Sequence, residues 1–239
     1  SVMSMDFGDI EITTVDNPEG GIGTFSPQFV NLALSYAKGF SDNIYGGLAL
    51  RVISEKTASV AARGVAFDAG IQYVAGKYDQ IKFGISLKNV GPRMRFSGDG
   101  LSFKTPIPSS TTGVTFTAEQ RTAQFELPSS LSIGGGYDFY LKKDSISMKT
   151  HRITASAAFV SNSFEKDQLK IGVEYAWRNM LMVRAGYAYE KDITSSDKRT
   201  TVFTGPSAGF TVELPFGKNK STFGIDYSYR ATNPFSGTH

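Results

Sequence analysis

Cysteine is absent from this 239-residue chain, which excludes disulfides and thiolate metal sites. Histidine occurs twice, at His151 and His239, and no Ser/His/Asp set or metal-ligand spacing can be built from that pair. No run approaches the ~18 consecutive apolar residues of a membrane-spanning helix. No charged start followed by an apolar stretch marks a signal peptide. Block charge is missing too. The 25 basic and 22 acidic residues sum to +3 and are interspersed, so a pI of 8.9 comes without the Lys/Arg patch that nucleic acid binding needs. No amphipathic helix, linker or low-complexity tract breaks the chain into domains.

Glycine (25 residues) and aromatics (13%) are plentiful, and residues alternate. In IGVEYAWR, residues 171–178, the odd positions are Ile, Val, Tyr and Trp and the even positions Gly, Glu, Ala and Arg. After Asn179 and Met180 the pattern resumes, which reads as a hairpin of two strands. The same period predicts about eleven strands, over 2–14, 28–38, 43–54, 64–76, 80–90, 127–140, 148–160, 168–178, 181–191, 205–216 and 221–231. The connections alternate. Long ones fall at 15–27, 55–63, 91–126, 161–167 and 192–204, and short ones at 38–43, 76–80, 141–147, 179–180 and 216–221. In an up-and-down sheet this puts long loops at one end and short turns at the other, as in outer-membrane barrels. Strands of about 10–13 residues, tilted about 40°, climb the roughly 25 Å of an apolar band. The expected fold is therefore all-β: a transmembrane antiparallel up-and-down β-barrel, forming a single domain over 1–239, with its apolar face on lipid. An odd count leaves such a wall open, so at least one C-terminal strand, and an even number of N-terminal ones, are expected beyond this sequence.

On the other face isolated charges sit among glycine and alanine. Arg51, Asp68, Glu174, Arg184, Glu213, Asp226 and Arg230 are expected to form a lumenal charge network, structural first and a transport path second, because buried charge is costly unless paired. GGIGTF (20–25) and GGGYDF (134–139) lack the Gly-Lys-Ser/Thr ending of a phosphate loop. They are read as a loop and as a strand that curves or admits an interior plug. No cofactor, metal or catalytic residue is assigned. Loop 91–126 is the main candidate for function, since thirty-odd residues without an evident core are unusual. Its Arg93, Met94, Arg95, Phe96, Leu101, Phe103 and Ile107 suit either contact with a protein partner or a constriction folded into the barrel mouth.

Four stretches carry a family resemblance: PEGGIGTFSPQFVNLALSYAKGFSDNIYGGLALRVISE (18–55), GVAFDAGIQYVAG (64–76), ISLKNVGPRMRF (85–96) and FELPSSLSIGGGYDF (125–139). Together they resemble the PorV family, outer-membrane barrels of the type IX secretion system with a FadL-like fold. The KN-GP and LPSSL elements also suit PorQ-type barrels; the segment 18–76 points to PorV. The resemblance implies a 14-stranded barrel in the bacterial outer membrane, with long loops extracellular and short turns periplasmic. An N-terminal plug with two strands, and one C-terminal strand, would complete it. It implies a non-enzymatic role: taking cargo by its C-terminal signal domain from the large translocon barrel and delivering it to the sortase-containing attachment complex. Membrane lipid is a further expected partner; nucleic acid is not. The alternative is a FadL-like channel for hydrophobic small molecules, and a third reading is a soluble β-sandwich.

Overall fold

The computed structural model describes residues 1–106, 115–141, 150–195, 198, 201–216 and 221–231. The strands are β1 (Val2–Asp6), β2 (Ile10–Glu11), β3 (Thr24–Phe25), β4 (Gln28–Gly39), β5 (Ile44–Thr57), β6 (Val60–Ala75), β7 (Ile81–Val90), β8 (Phe96–Ser97), β9 (Ser102–Pro106), β10 (Thr115–Glu119), β11 (Ser130–Tyr140), β12 (His151–Asn162), β13 (Gln168–Trp177), β14 (Leu181–Glu190), β15 (Gly205–Phe216) and β16 (Ser221–Arg230). The one described helix is a 3-10 turn, Asp99–Leu101. Eleven strands form an up-and-down path, β1-β4-β5-β6-β7-β11-β12-β13-β14-β15-β16, with β8 added beside β6. Ten of the predicted strands persist with shifted ends. No described helix is long and apolar enough to cross a membrane.

The chain divides into two compact units. One comprises Ser1–Tyr36, Leu48–Asp68 and Lys88–Leu127; the other comprises Ala37–Gly47, Ala69–Leu87 and Pro128–His239.

In the second unit, β11 to β16 pair in unbroken antiparallel register. Alternation places Ile171, Val173, Tyr175 and Trp177 of β13 on one face, opposite Tyr187, Ala185, Val183 and Leu181 of β14. Among the described residues no second layer covers that face: Ile171 and Val173 are each 54% exposed, Ile225 56% and Phe223 59%. The other face holds small and charged residues. The β13–β14 turn closes through Met180 N–H donating to the Trp177 carbonyl at 2.9 Å. Its central residues, Arg178 and Asn179, have φ of 52° and 53°, the paired left-handed geometry that matches strand twist.

The first unit contains the main buried apolar cluster: Ile53, Ala62, Ala66, Met94 and Leu127, with Phe29, Phe96 and Phe125 against it. Met94 is 2% exposed and lies over Gly64, where an added Cβ would come within 2.6 Å of its Cγ and Sδ. Glycine is required there because the side chain occupies the space any Cβ would fill. A bridge pairs Met94 with Phe125, and β8 pairs with β6 through Ala61↔Ser97 and Ala62↔Phe96.

Three expectations need correction. The strand predicted over 2–14 breaks after Asp6, because the Asp6 carboxylate accepts the Gly8 N–H at 2.9 Å and Gly8 turns at φ 78°. The long connection expected at 55–63 is a hairpin. β5 and β6 extend to Thr57 and Val60, leaving Ala58 and Ser59 as the turn, so the alternation of long and short links fails at that point. Loop 91–126 does not lack a core, since Met94 and Phe96 enter the apolar cluster.

Candidate functional site

The polar face of the second unit carries a ladder of charges that follows directly from register. Asp138, Thr154, Glu174 and Arg184 stand opposite one another across β11, β12, β13 and β14. Lys82 Nζ of β7 binds Asp138 at 2.7 Å, and Thr154 Oγ1 donates to the same carboxylate at 2.6 Å. Glu174 receives Arg152 at 2.5 Å on one oxygen and Arg184 at 2.6 Å on the other. Arg184 also donates to Thr211 Oγ1 at 2.6 Å, and Thr211 donates to Asp226. Arg184 and Asp226 are 3.9 Å apart. In the first unit, Arg51 pairs with Asp68 at 2.6 Å, and the other Asp68 oxygen accepts the Asn89 backbone N–H at 2.8 Å.

The two carboxylates at the centre of the ladder are less exposed than the apolar residues of the opposite face. Asp138 is 2% exposed, and the Glu174 side chain 19%, against 54% for Val173 next to it in the chain. Desolvated carboxylates persist because each accepts two or more charge-assisted or hydroxyl hydrogen bonds. The adjoining row on the same face is nearly free of side chain: Gly136, Ser156, Gly172, Gly186 and Ser207 follow one another in register.

Of the seven residues expected in a charge network, five are joined in these pairs: Arg51, Asp68, Glu174, Arg184 and Asp226. Glu213 and Arg230 lie on the same face, opposite Gly224 and Ser207, without an ion pair among the described residues. Sequence reading missed Lys82, Asp138, Arg152, Thr154 and Thr211. Their signal was the same alternation, but Lys82 and Asp138 are 56 positions apart and only sheet order joins them. His151 is at the other face, its Nδ1 2.7 Å from the Tyr175 hydroxyl.

The loop residues divide by face. Met94 and Phe96 point inward, Phe96 stacking on Phe125 with centroids 5.5 Å apart. Arg93 and Arg95 are exposed, and Arg93 pairs with Glu126 at 2.5 Å. Leu101 is half-buried in the 3-10 turn. Phe103, 52% exposed, lies on the β9–β10 hairpin with Phe116, 44% exposed. Ile107 lies outside the described residues.

No family model and no curated protein matches this chain. Among the described residues no group of three or more His, Asp or Glu could hold a metal ion. The arrangement offers paired charge and an apolar surface.

Proposed function

We propose that this chain forms the wall of a bacterial outer-membrane β-barrel and serves type IX protein secretion as a non-enzymatic carrier of cargo. The observation behind the membrane placement is the inversion of faces. Ile171, Val173, Phe223 and Ile225 are more than half exposed, while on the opposite face Asp138 is buried and Glu174 half-buried in ion pairs. A contiguous apolar face of this extent is not left to water in a soluble monomer. Hydrocarbon would cover it, and the paired charges would line the interior. Trp177 and Tyr175 near the short turns, and Tyr187 and Tyr189 toward the opposite strand ends, suit the two aromatic girdles.

The secretion role rests on the PorV resemblance of residues 18–55, 64–76, 85–96 and 125–139. In this reading the partners are the translocon barrel, the cargo signal domain and the sortase complex. The β9–β10 hairpin, with Phe103 and Phe116 outward, presents the docking surface, while Met94 and Phe96 anchor its base.

Deleting residues 99–120 removes the hairpin and leaves the Met94–Phe125 bridge. The expected result is an intact barrel from which cargo signal domain no longer co-purifies in detergent, with cargo lost from the cell surface. Unchanged secretion with lost uptake of a hydrophobic molecule would instead favour a FadL-like channel.

A further inference from the structure

Beyond β6 the polypeptide builds a small ledge in the first unit. The β6 segment from Val60, residues 93–97 and residues 124–126 lie side by side through the β6–β8 ladder and the Met94–Phe125 bridge. Alternation gives the ledge two faces. Ala62, Gly64, Met94, Phe96 and Phe125 form the inner one. Arg63, Arg93, Arg95, Ser97, Gln124 and Glu126 are all exposed on the outer one.

A cavity of about 530 Å³ opens on that outer face, lined in part by Arg63, Arg93, Arg95, Ser97 and Gln124. Three guanidinium groups around one cavity repel each other unless an anion joins them. Among the described residues of this outer face the one carboxylate is Glu126, and Arg93 takes it with two hydrogen bonds at 2.9 and 2.5 Å. Arg63 and Arg95 make no ion pair or side-chain hydrogen bond among the described residues. The outer face carries three positive charges against one negative, with hydroxyl and amide groups alongside.

Position decides what the anion is. Arg63 continues the strand face that bears Val65, 38% exposed, and Phe67, 56% exposed. Residues two apart on a strand are about 7 Å apart, so the guanidinium cluster begins one step past the apolar band. Leu48, Leu50 and Val52 of β5 extend the band, and Lys56 is exposed at its far end. Cations at the edge of a lipid-covered surface meet the headgroup layer, and arginine forks match phosphate oxygens in pairs.

We propose that Arg63, Arg93 and Arg95 form a binding site for the phosphate of a membrane lipid whose acyl chains lie along Val65 and Phe67. The proposal rests on the membrane reading given above. It assigns the outer face of the 93–97 segment to lipid rather than to a protein partner.

The test uses the full chain purified in a non-ionic detergent. Retained lipid is counted by native mass spectrometry after titration with phosphatidic acid, phosphatidylcholine or inorganic phosphate. The wild type is expected to prefer phosphatidic acid, and Arg63→Gln with Arg95→Gln to weaken that retention about tenfold, the low end for charge-assisted bonds at an exposed site. Glu126→Gln, which frees Arg93, is expected to strengthen it. A heat-modifiability gel shows that each variant keeps its fold. Equal retention of the two lipids by the wild type, or an unchanged preference in the double variant, overturns the site. Inorganic phosphate competing as well as phosphatidic acid overturns the lipid assignment. A chain that stays monomeric in water without detergent overturns the membrane reading itself, and is seen before any lipid is added.

Discussion

Glu174 faces Arg184 across the β13–β14 ladder and binds it at 2.6 Å, while its other oxygen holds Arg152 from β12 at 2.5 Å. One carboxylate thus ties three consecutive strands on the polar face. From Arg184 the contacts run on through Thr211 to Asp226, reaching β15 and β16.

Replacing Glu174 by Gln leaves two guanidinium groups on a half-buried wall without their counter-charge. The variant is expected to lose about 2–3 kcal/mol, below the cost of fully buried pairs because the Arg184 side chain is 44% exposed. A thermal unfolding curve in detergent measures this. Adding Arg152→Gln should recover part of the loss. A double variant no more stable than the single one would show that the carboxylate does not act through these charges.

Val173 sits in the centre of β13 on the uncovered apolar face. In a bilayer Val173→Arg should cost about 2–4 kcal/mol, the value for a charge near mid-membrane. Folding yield into phosphatidylcholine vesicles is the readout. Ser156→Thr on the opposite face, beside Gly172, serves as the tolerated control. If Val173→Arg instead raised yield in plain buffer, the apolar face would belong to a soluble protein.

Gly64 admits Met94. Gly64→Val forces the sulfur away from a 2.6 Å approach and should cost about 1–3 kcal/mol in overpacking. The effect is local to the base of the loop, so limited proteolysis at Arg121 should accelerate. Met94→Ala in the same background should relieve the clash. Unaltered cleavage in Gly64→Val would mean that Met94 does not hold the loop down.

The tight turn after Trp177 places Arg178 in the left-handed region at φ 52°. Arg178→Asn keeps a residue that tolerates this geometry better and should stabilise by about 0.5 kcal/mol, the gain partly offset by the lost guanidinium contact over Trp177, 5.5 Å from its ring centroid. Melting temperature against the wild type decides the sign.

Period two alone determined the strand class, the two faces and ten of the strand positions, because side-chain direction in an extended chain depends only on residue parity. It also put Glu174 and Arg184 on one face across a short turn, since a hairpin fixes local register. It could not pair Lys82 with Asp138, because that contact follows from sheet order, and it did not pair Arg51 with Asp68, because it placed a long loop over 55–63 where β5 and β6 form one hairpin. It read Met94 and Phe96, along with Arg93 and Arg95, as either a partner contact or a constriction in the barrel mouth. Only the tertiary structure showed that the 93–97 segment is itself extended along β6, so that parity sends the methionine and the phenylalanine into the apolar cluster and the arginines out.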